Sequence, residues 1–199
     1  MRLPTAYLGL AAAAVFIIAF FVIAMLTPDY ALWYDYISKL GALGQPLAPW
    51  WNAIGFVVVG ILFSAFGWTF GRTINDRIVG GCLVAAGLGF TLGAIPADFA
   101  NADAPLSKAH FVSICIALAG WCFALARMGQ TGPLEKSMRI GANIAGVLVV
   151  LPMVGTAANL FTAPVAHRLV LVVVFGWVIF VSLKLLSKSH HARISTGNG

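Results

Sequence analysis

Charge is what this sequence has least of. Asp, Glu, Lys and Arg make up 9% of its 199 residues, against roughly 25% in a soluble globular domain. Cysteine is also scarce, and Cys82, Cys115 and Cys122 all fall inside apolar stretches. That placement excludes a disulfide framework or a paired-cysteine zinc site and leaves them as small packing residues. The apolar stretches carry no Asp, Glu, Lys or Arg near their middles, which argues against a proton relay or a voltage sensor. There is no GxSxG elbow, no HExxH pair and no glycine-rich phosphate loop, since Gly87, Gly89 and Gly93 lie within an apolar run. Aromatic residues are not interleaved with basic clusters, so nucleic-acid binding is not expected.

What is present is hydrocarbon: 61% of the residues are hydrophobic. A bilayer core needs about 20 apolar residues per helical crossing. Apolar runs at about 7–26, 51–70, 78–97, 110–127, 138–161 and 168–187 predict an all-α, polytopic six-helix transmembrane bundle. It forms one domain over 1–187, followed by a basic tail over 188–199. The first run exceeds the ~7–15 residues of a signal-peptide core and is expected to be a retained anchor.

Basic residues give the expected orientation, because Lys and Arg stay on the cytoplasmic side. Arg2, Arg72, Arg77, Arg127, Lys136, Arg139, Lys184, Lys188 and Arg193 fall on one side, and Lys39, Lys108 and Arg168 on the other. This predicts a multi-pass inner (plasma) membrane protein with cytoplasmic termini and outward segments at 27–50, 98–109 and 162–167. The tail would rest against anionic headgroups, with His190 and His191 solvated. Small residues at helix-packing spacing, Gly89 with Gly93, Gly141 with Ala145 and Ala142 with Gly146, predict close helix contacts. Pro152 removes a hydrogen-bond donor from the fifth run and predicts a kink there.

The segment between the first two runs is long and aromatic. Thr27 as N-cap, Pro28 at the first position and Gly41 at the end predict a short interfacial helix. Tyr30, Trp33, Tyr34, Ile37 and Leu40 would share its membrane face, and Trp50 and Trp51 would mark the headgroup level.

The run Asp35-Tyr36-Ile37-Ser38-Lys39-Leu40-Gly41-Ala42 with Pro46 forms a recognisable pattern. It continues through Asn52, Gly55-Phe56 and Gly60, then Gly93-Ala94-Ile95-Pro96-Ala97-Asp98 and His110, and ends on His167-Arg168, Trp177 and Leu183-Lys184-Leu185. It resembles the prokaryotic six-span family known as domain of unknown function 998, over roughly residues 7–187. A weaker likeness, carried by the Ser-x-x-Gly turn with a downstream proline, is to eukaryotic six-span autophagy-modulator and glycolipid-remodelling membrane proteins. The resemblance implies six spans and no established activity. His167 departs from it, since the prokaryotic pattern often has an acidic or amidic residue there.

On this topology the polar residues meet at the outward face. Asp35, Asp98, His110, Asn159, Arg168, Trp33 and Tyr34 are the candidate ligand-binding set for a lipid or other amphiphile, in an accessory or binding role. Arg168 is expected to pair with Asp98, Asp35 or a lipid phosphate. Asp35 and Lys39 read equally as a surface ion pair. The alternative is a membrane-embedded hydrolase or transferase acting on a lipid, in which Asp98 orients His110 as base and Ser38 is the nucleophile. His110, His167 and Asp98 could instead hold a metal. The bland reading makes Asp98 a loop residue and His110 a helix-end residue. A second alternative is a structural subunit packing on a membrane-protein partner or on a second copy of itself. No cofactor is named by the sequence, and the expected partners are membrane lipids.

Overall fold

The computed structural model describes residues 2–130 and 134–197, without the side chains of 190–197, so His190, His191 and Arg193 of the expected tail lie outside the described side chains. Six helices account for most of it: α1 (Arg2–Leu26), α2 (Ala48–Thr73), α3 (Arg77–Leu92), α4 (Pro105–Gln130), α5 (Lys136–Ala157) and α6 (Ala163–Gly197). Five are long and apolar enough to cross a membrane, and α3, at 16 residues, is a shorter apolar helix. The chain is a polytopic helical membrane bundle, and among the described residues it contains no strand. α6 continues past 187, so the expected separate tail is helical through Gly197.

Local chemistry sets the helix ends. Asp76 caps α3, its carboxylate accepting the amides of Ile78 and Val79 at 3.0 and 3.1 Å. Asn75 and Asn159 sit at φ 56° and 57° just past α2 and α5. Asn tolerates that left-handed backbone, and each turn closes with an amide reaching back five residues, Asp76 to Gly71 and Leu160 to Gly155.

Each helix packs on its neighbours in the chain, and α6 returns to α1, which closes a ring. The tightest pair is the α2–α3 hairpin. Along it Gly60 lies against Thr91 and Gly87, Ser64 against Gly87, Gly67 against Leu83 and Gly71 against Gly80. Positions advance on one helix as they fall on the other, so the pair is antiparallel in one unbroken register. A Cβ on Gly71 would strike the Gly80 backbone, which is why small residues are required at this spacing. Gly89 and Gly120 make the corresponding approaches between α3 and α4, whereas Gly146, expected at an interface, faces open space. At the terminal end, Arg127 of α4 clamps the Asp76 cap, Nε to carboxylate at 2.8 Å.

The segment between α1 and α2 departs from expectation. In place of an interfacial α-helix it forms turns and one short 3₁₀ helix, Ile37–Gly41. Thr27 does not cap it: its hydroxyl donates to the Ile23 carbonyl and finishes α1. Asp29 takes φ 59°, and Asp35 accepts the Ala31 amide at 2.8 Å, bending the chain on itself. The expected common face is broken accordingly. Ile37 and Leu40 are buried, while Trp33 and Tyr34 are 63% and 79% exposed. Trp51 is also no headgroup marker. It is fully buried against Phe16, Phe20 and Phe56, at the start of a π-helical stretch, Trp51–Val58, that opens α2.

Two outcomes follow from this packing. Gly71→Leu should cost at least the ~1–3 kcal/mol of overpacking and lower the thermal midpoint in detergent, whereas Gly81→Ala, which meets nothing within 4 Å, should leave it unchanged or raise it. Acid stability should track Asp76. Burial raises its carboxyl, but Arg127 and the Val79 and Ile78 amides outweigh burial and hold it below the usual 3.8. With the folded value depressed, its stabilisation is complete above 3.8 and is lost as pH falls through the folded value. Asp76→Asn should therefore be less stable near neutrality and show a flatter acid limb below about pH 4 in a thermal-midpoint series.

Candidate functional site

The irregular segment 27–47 lies over one end of the ring and is tied down at three places. Asn52 Nδ2 of α2 donates to the Gly41 carbonyl at 3.0 Å, an approach that a Cβ on Gly41 would block. The Leu43 amide donates to the Ala97 carbonyl. The third tie is Arg168 of α6. Its Nη2 donates to the Tyr30 hydroxyl at 2.9 Å and to the Asp35 carbonyl at 2.6 Å, and its Nη1 to the Pro164 carbonyl at 2.8 Å. The expected partnership with Asp35 therefore exists, but through the backbone. The Asp35 carboxylate belongs to Lys39 at 2.7 Å. Burial raises that carboxyl, and Lys39, the Ala31 amide and the Arg168 charge together bring it below its usual value.

Beneath this roof is a cavity of about 730 Å³. Its roof-end lining is Tyr36, Ser38, His110, Thr156 and His167, and its body is aromatic and aliphatic, including Phe16, Phe56, Phe63, Phe90, Trp121, Leu171 and Phe175. From His110 to Trp121 the α4 wall descends roughly 16 Å. Among the described residues, no Asp, Glu, Lys or Arg lines it. His110 is held by Nδ1–H donating to the Ile95 carbonyl at 2.9 Å, with its ring edge-on to Phe56. That bond leaves the lone pair of the neutral ring on Nε2. His167 faces Tyr36 ring to ring at 6.0 Å, and its Nδ1 is buried without a protein partner, as is the Trp121 indole N–H. The Ser38 hydroxyl is given to no protein acceptor among the described residues. A smaller cavity of about 250 Å³ lies on the other side of the roof, between Pro28, Tyr30, Lys39 and Pro46.

The expected residues thus divide. Ser38, His110 and His167 line the same cavity. Asp98 does not join them. Its carboxylate accepts the Ala100 and Asn101 amides at 2.9 and 3.2 Å, and its backbone is laced to the Ser107 hydroxyl, so it organises the loop before α4. Local amides in a tight turn outcompete a ring on the next helix. The Asp98–His110 pair is accordingly not formed, and among the described residues no three His, Cys, Asp or Glu side chains are grouped to hold a metal, which corrects the His110, His167, Asp98 set. Asn159 is exposed and serves as the turn residue ending α5, and Trp33 and Tyr34 point away from the cavity. The sequence reading missed Tyr36, Thr156 and the aromatic wall, and did not see Tyr30 as a partner for Arg168. Tyr36 was discoverable from its place between Asp35 and Ser38 in the family-like run.

Toward the terminal end α4 and α5 meet closely, Gly129 lying against Asn143, whereas Phe111 and Met153, both lining the cavity, are 68% and 46% exposed. The cavity therefore reaches the lateral surface of the bundle at these two helices.

Residues 10–184 match the family model described as protein of unknown function (DUF998). The chain belongs to that family. The match spans the ring from α1 into α6, including the roof and every residue that lines the cavity. No curated protein and no solved structure matches the chain.

Arg168 is the roof tie with the most to lose, because removing it strands the Asp35 carbonyl and the Tyr30 phenol, each worth about 1–3 kcal/mol if left unpaired. Arg168→Met should lower the thermal midpoint and expose residues 28–36 to limited proteolysis. Tyr30→Phe alone should cost less, and it should cost nearly nothing more in the Arg168→Met background, since the two act as one unit.

Proposed function

We propose that this DUF998 protein is a membrane binding protein that holds an amphiphile, such as a lipid, in the roofed cavity. The observation that carries the reading is the lining: an apolar, largely aromatic body ending in Tyr36, Ser38, His110, Thr156 and His167. Binding sites for small molecules enclose about 300–1,000 Å³, are mostly apolar and carry a few convergent polar groups. The exposed lining residues Phe111 and Met153 put the entry on the lateral surface, where a molecule already dissolved in the bilayer can reach it.

In this reading the chain crosses the plasma membrane six times, with α3 as the short crossing. At ~1.5 Å per residue α3 rises about 24 Å, somewhat less than a ~30 Å hydrocarbon core, and the turns after Leu92 complete it. Both termini lie in the cytoplasm, following the excess of Lys and Arg at that end, and the roof faces outward. Lysine and arginine near the ends of α4 to α6 meet anionic headgroups.

A hydrolytic role is the second reading, favoured by the presence of Ser38, His110 and His167 in one lining. It lacks a carboxylate on either histidine, so the binding role is preferred.

Leu171→Trp or Val174→Trp fills the cavity without touching the roof ties. Lipid extracted from purified wild-type protein and quantified by mass spectrometry should include a stoichiometric species, and either variant should lose it while keeping its thermal midpoint. Equal retention by both variants would rule out the cavity as the binding place.

A further inference from the structure

Arg168 holds the roof with hydrogen bonds but leaves its charge unanswered. We infer that the cavity selects an amphiphile with an oxyanion head, a carboxylate or a phosphate, over neutral or cationic amphiphiles of equal chain length. This deepens the binding role proposed above and rests on it.

Charges at the roof end do not cancel beside the cavity. Arg168 donates to the Pro164 and Asp35 carbonyls and to the Tyr30 hydroxyl, all neutral acceptors. The Asp35 carboxylate feels the guanidinium but is bonded to Lys39 at 2.7 Å, so two cations share one anion and one positive charge remains. Lys108 is balanced by Asp103 at 3.0 Å. Asp98 accepts amides of its own loop, and Asp29 is exposed at the smaller cavity on the other side of the roof, where salt and water screen it.

His167, the residue before Arg168 on α6, lines the main cavity. Arg168 Nε and His167 Nδ1 are both buried without a protein partner. Buried polar atoms in native proteins are satisfied in the great majority of cases, and a guanidinium nitrogen can only donate. These are neighbours on one helix, and one of them is cationic. The acceptor that would also balance the charge is an oxyanion. Arg168 stands behind the lining rather than in it, so its charge acts through surroundings of low polarity, where Coulomb attraction is weakly screened. A neutral head forgoes that attraction. A cationic head is repelled, and among the described residues no carboxylate in the lining receives it. Tyr36 and Ser38, which bear hydroxyls, line the same end.

Four amphiphiles of one chain length separate the possibilities: oleate, oleyl phosphate, monoolein and oleylamine, offered in equimolar competition to the purified full chain in detergent and read by native mass spectrometry. At pH 8 an ordinary carboxyl is ionised, an ordinary amine protonated and an ordinary imidazole neutral. Oleate or oleyl phosphate should be retained about tenfold over monoolein and by more over oleylamine, and the better retained of the two names the head. Arg168→Gln should cut that preference to less than about threefold while monoolein stays bound. Ser38→Asp sets a compensating carboxylate in the lining without touching the roof ties and should cut it equally, whereas Ser38→Asn, of the same size, should retain more of it. If Arg168→Gln does not fold, the two Ser38 variants carry the comparison. Monoolein or oleylamine retained as well as both oxyanions would overturn the head assignment. So would a preference that survives Arg168→Gln or Ser38→Asp, or one that falls equally in Ser38→Asn. With Leu171→Trp excluding all four, the binding role would still stand in each of these cases. Binding of none of the four would overturn both.

Discussion

The longest irregular stretch among the described residues is held chiefly by one guanidinium. Helices satisfy their own backbone groups, which is why they dominate in hydrocarbon, whereas turns leave carbonyls and amides that need outside partners. Residues 27–47 are turns and a 3₁₀ helix, and Arg168 reaches across from α6 to take the Asp35 carbonyl and the Tyr30 hydroxyl. Asn52 and Ala97 take up two further positions. Without these ties Tyr36, Ile37 and Ser38 would not be held over the ring, and the cavity would be an open cleft. A fixed cation next to His167 also has a chemical consequence, because its hydrogen bonds go to neutral acceptors and leave its charge uncompensated at the roof end of the cavity.

The ring and the cavity have a common origin in residue size. Where glycines recur, in α2 against α3 and in α3 against α4, backbones approach closely and no space remains. Where aromatic and branched side chains replace them, toward the roof, the cavity is found, with α4, α5 and α6 among the helices that line it. Phe16 illustrates the boundary. It stacks on Phe175 at 4.4 Å, meets Phe90 edge-on and Trp51 at a tilt, so the aromatic cluster that fills the core is continuous with the wall of the cavity. The small-residue faces are mostly used up inside the ring, which weakens the case for a subunit that needs them to grip a partner.

Fold class was legible because it follows from one-dimensional quantities. Apolar run length marks the crossings, and each observed helix overlaps its expected run, with α3 ending at Leu92 where Gly93 and Pro96 interrupt it. The interfacial helix was not legible, because Tyr30, Trp33, Tyr34, Ile37 and Leu40 fit a helical period by spacing alone. What decided against it were contacts from distant positions, such as Arg168 on the Asp35 carbonyl, and local ones such as Asp35 on the Ala31 amide. Asn159 and Asp98 lie at the expected end of the bundle but do not line the cavity. Both are turn formers, and their side chains or φ angles serve the backbone next to them. Ser38, His110 and His167 share one lining because a polar residue at the end of an apolar run has few other places to go.

The same geometry explains why convergence of titratable groups is weaker support for catalysis here than for recognition. A histidine acts as a strong general base when a second group fixes its tautomer and stabilises the charge that it acquires. The Ile95 carbonyl does the first for His110 but, being neutral, does little of the second. Asp98, the residue that could have done both, holds its own loop instead. What remains is two imidazoles in an aromatic chamber without ions. That environment penalises the charged imidazolium intermediates of acyl or phosphoryl transfer, which is why the role we propose is to hold an amphiphile rather than to cleave one.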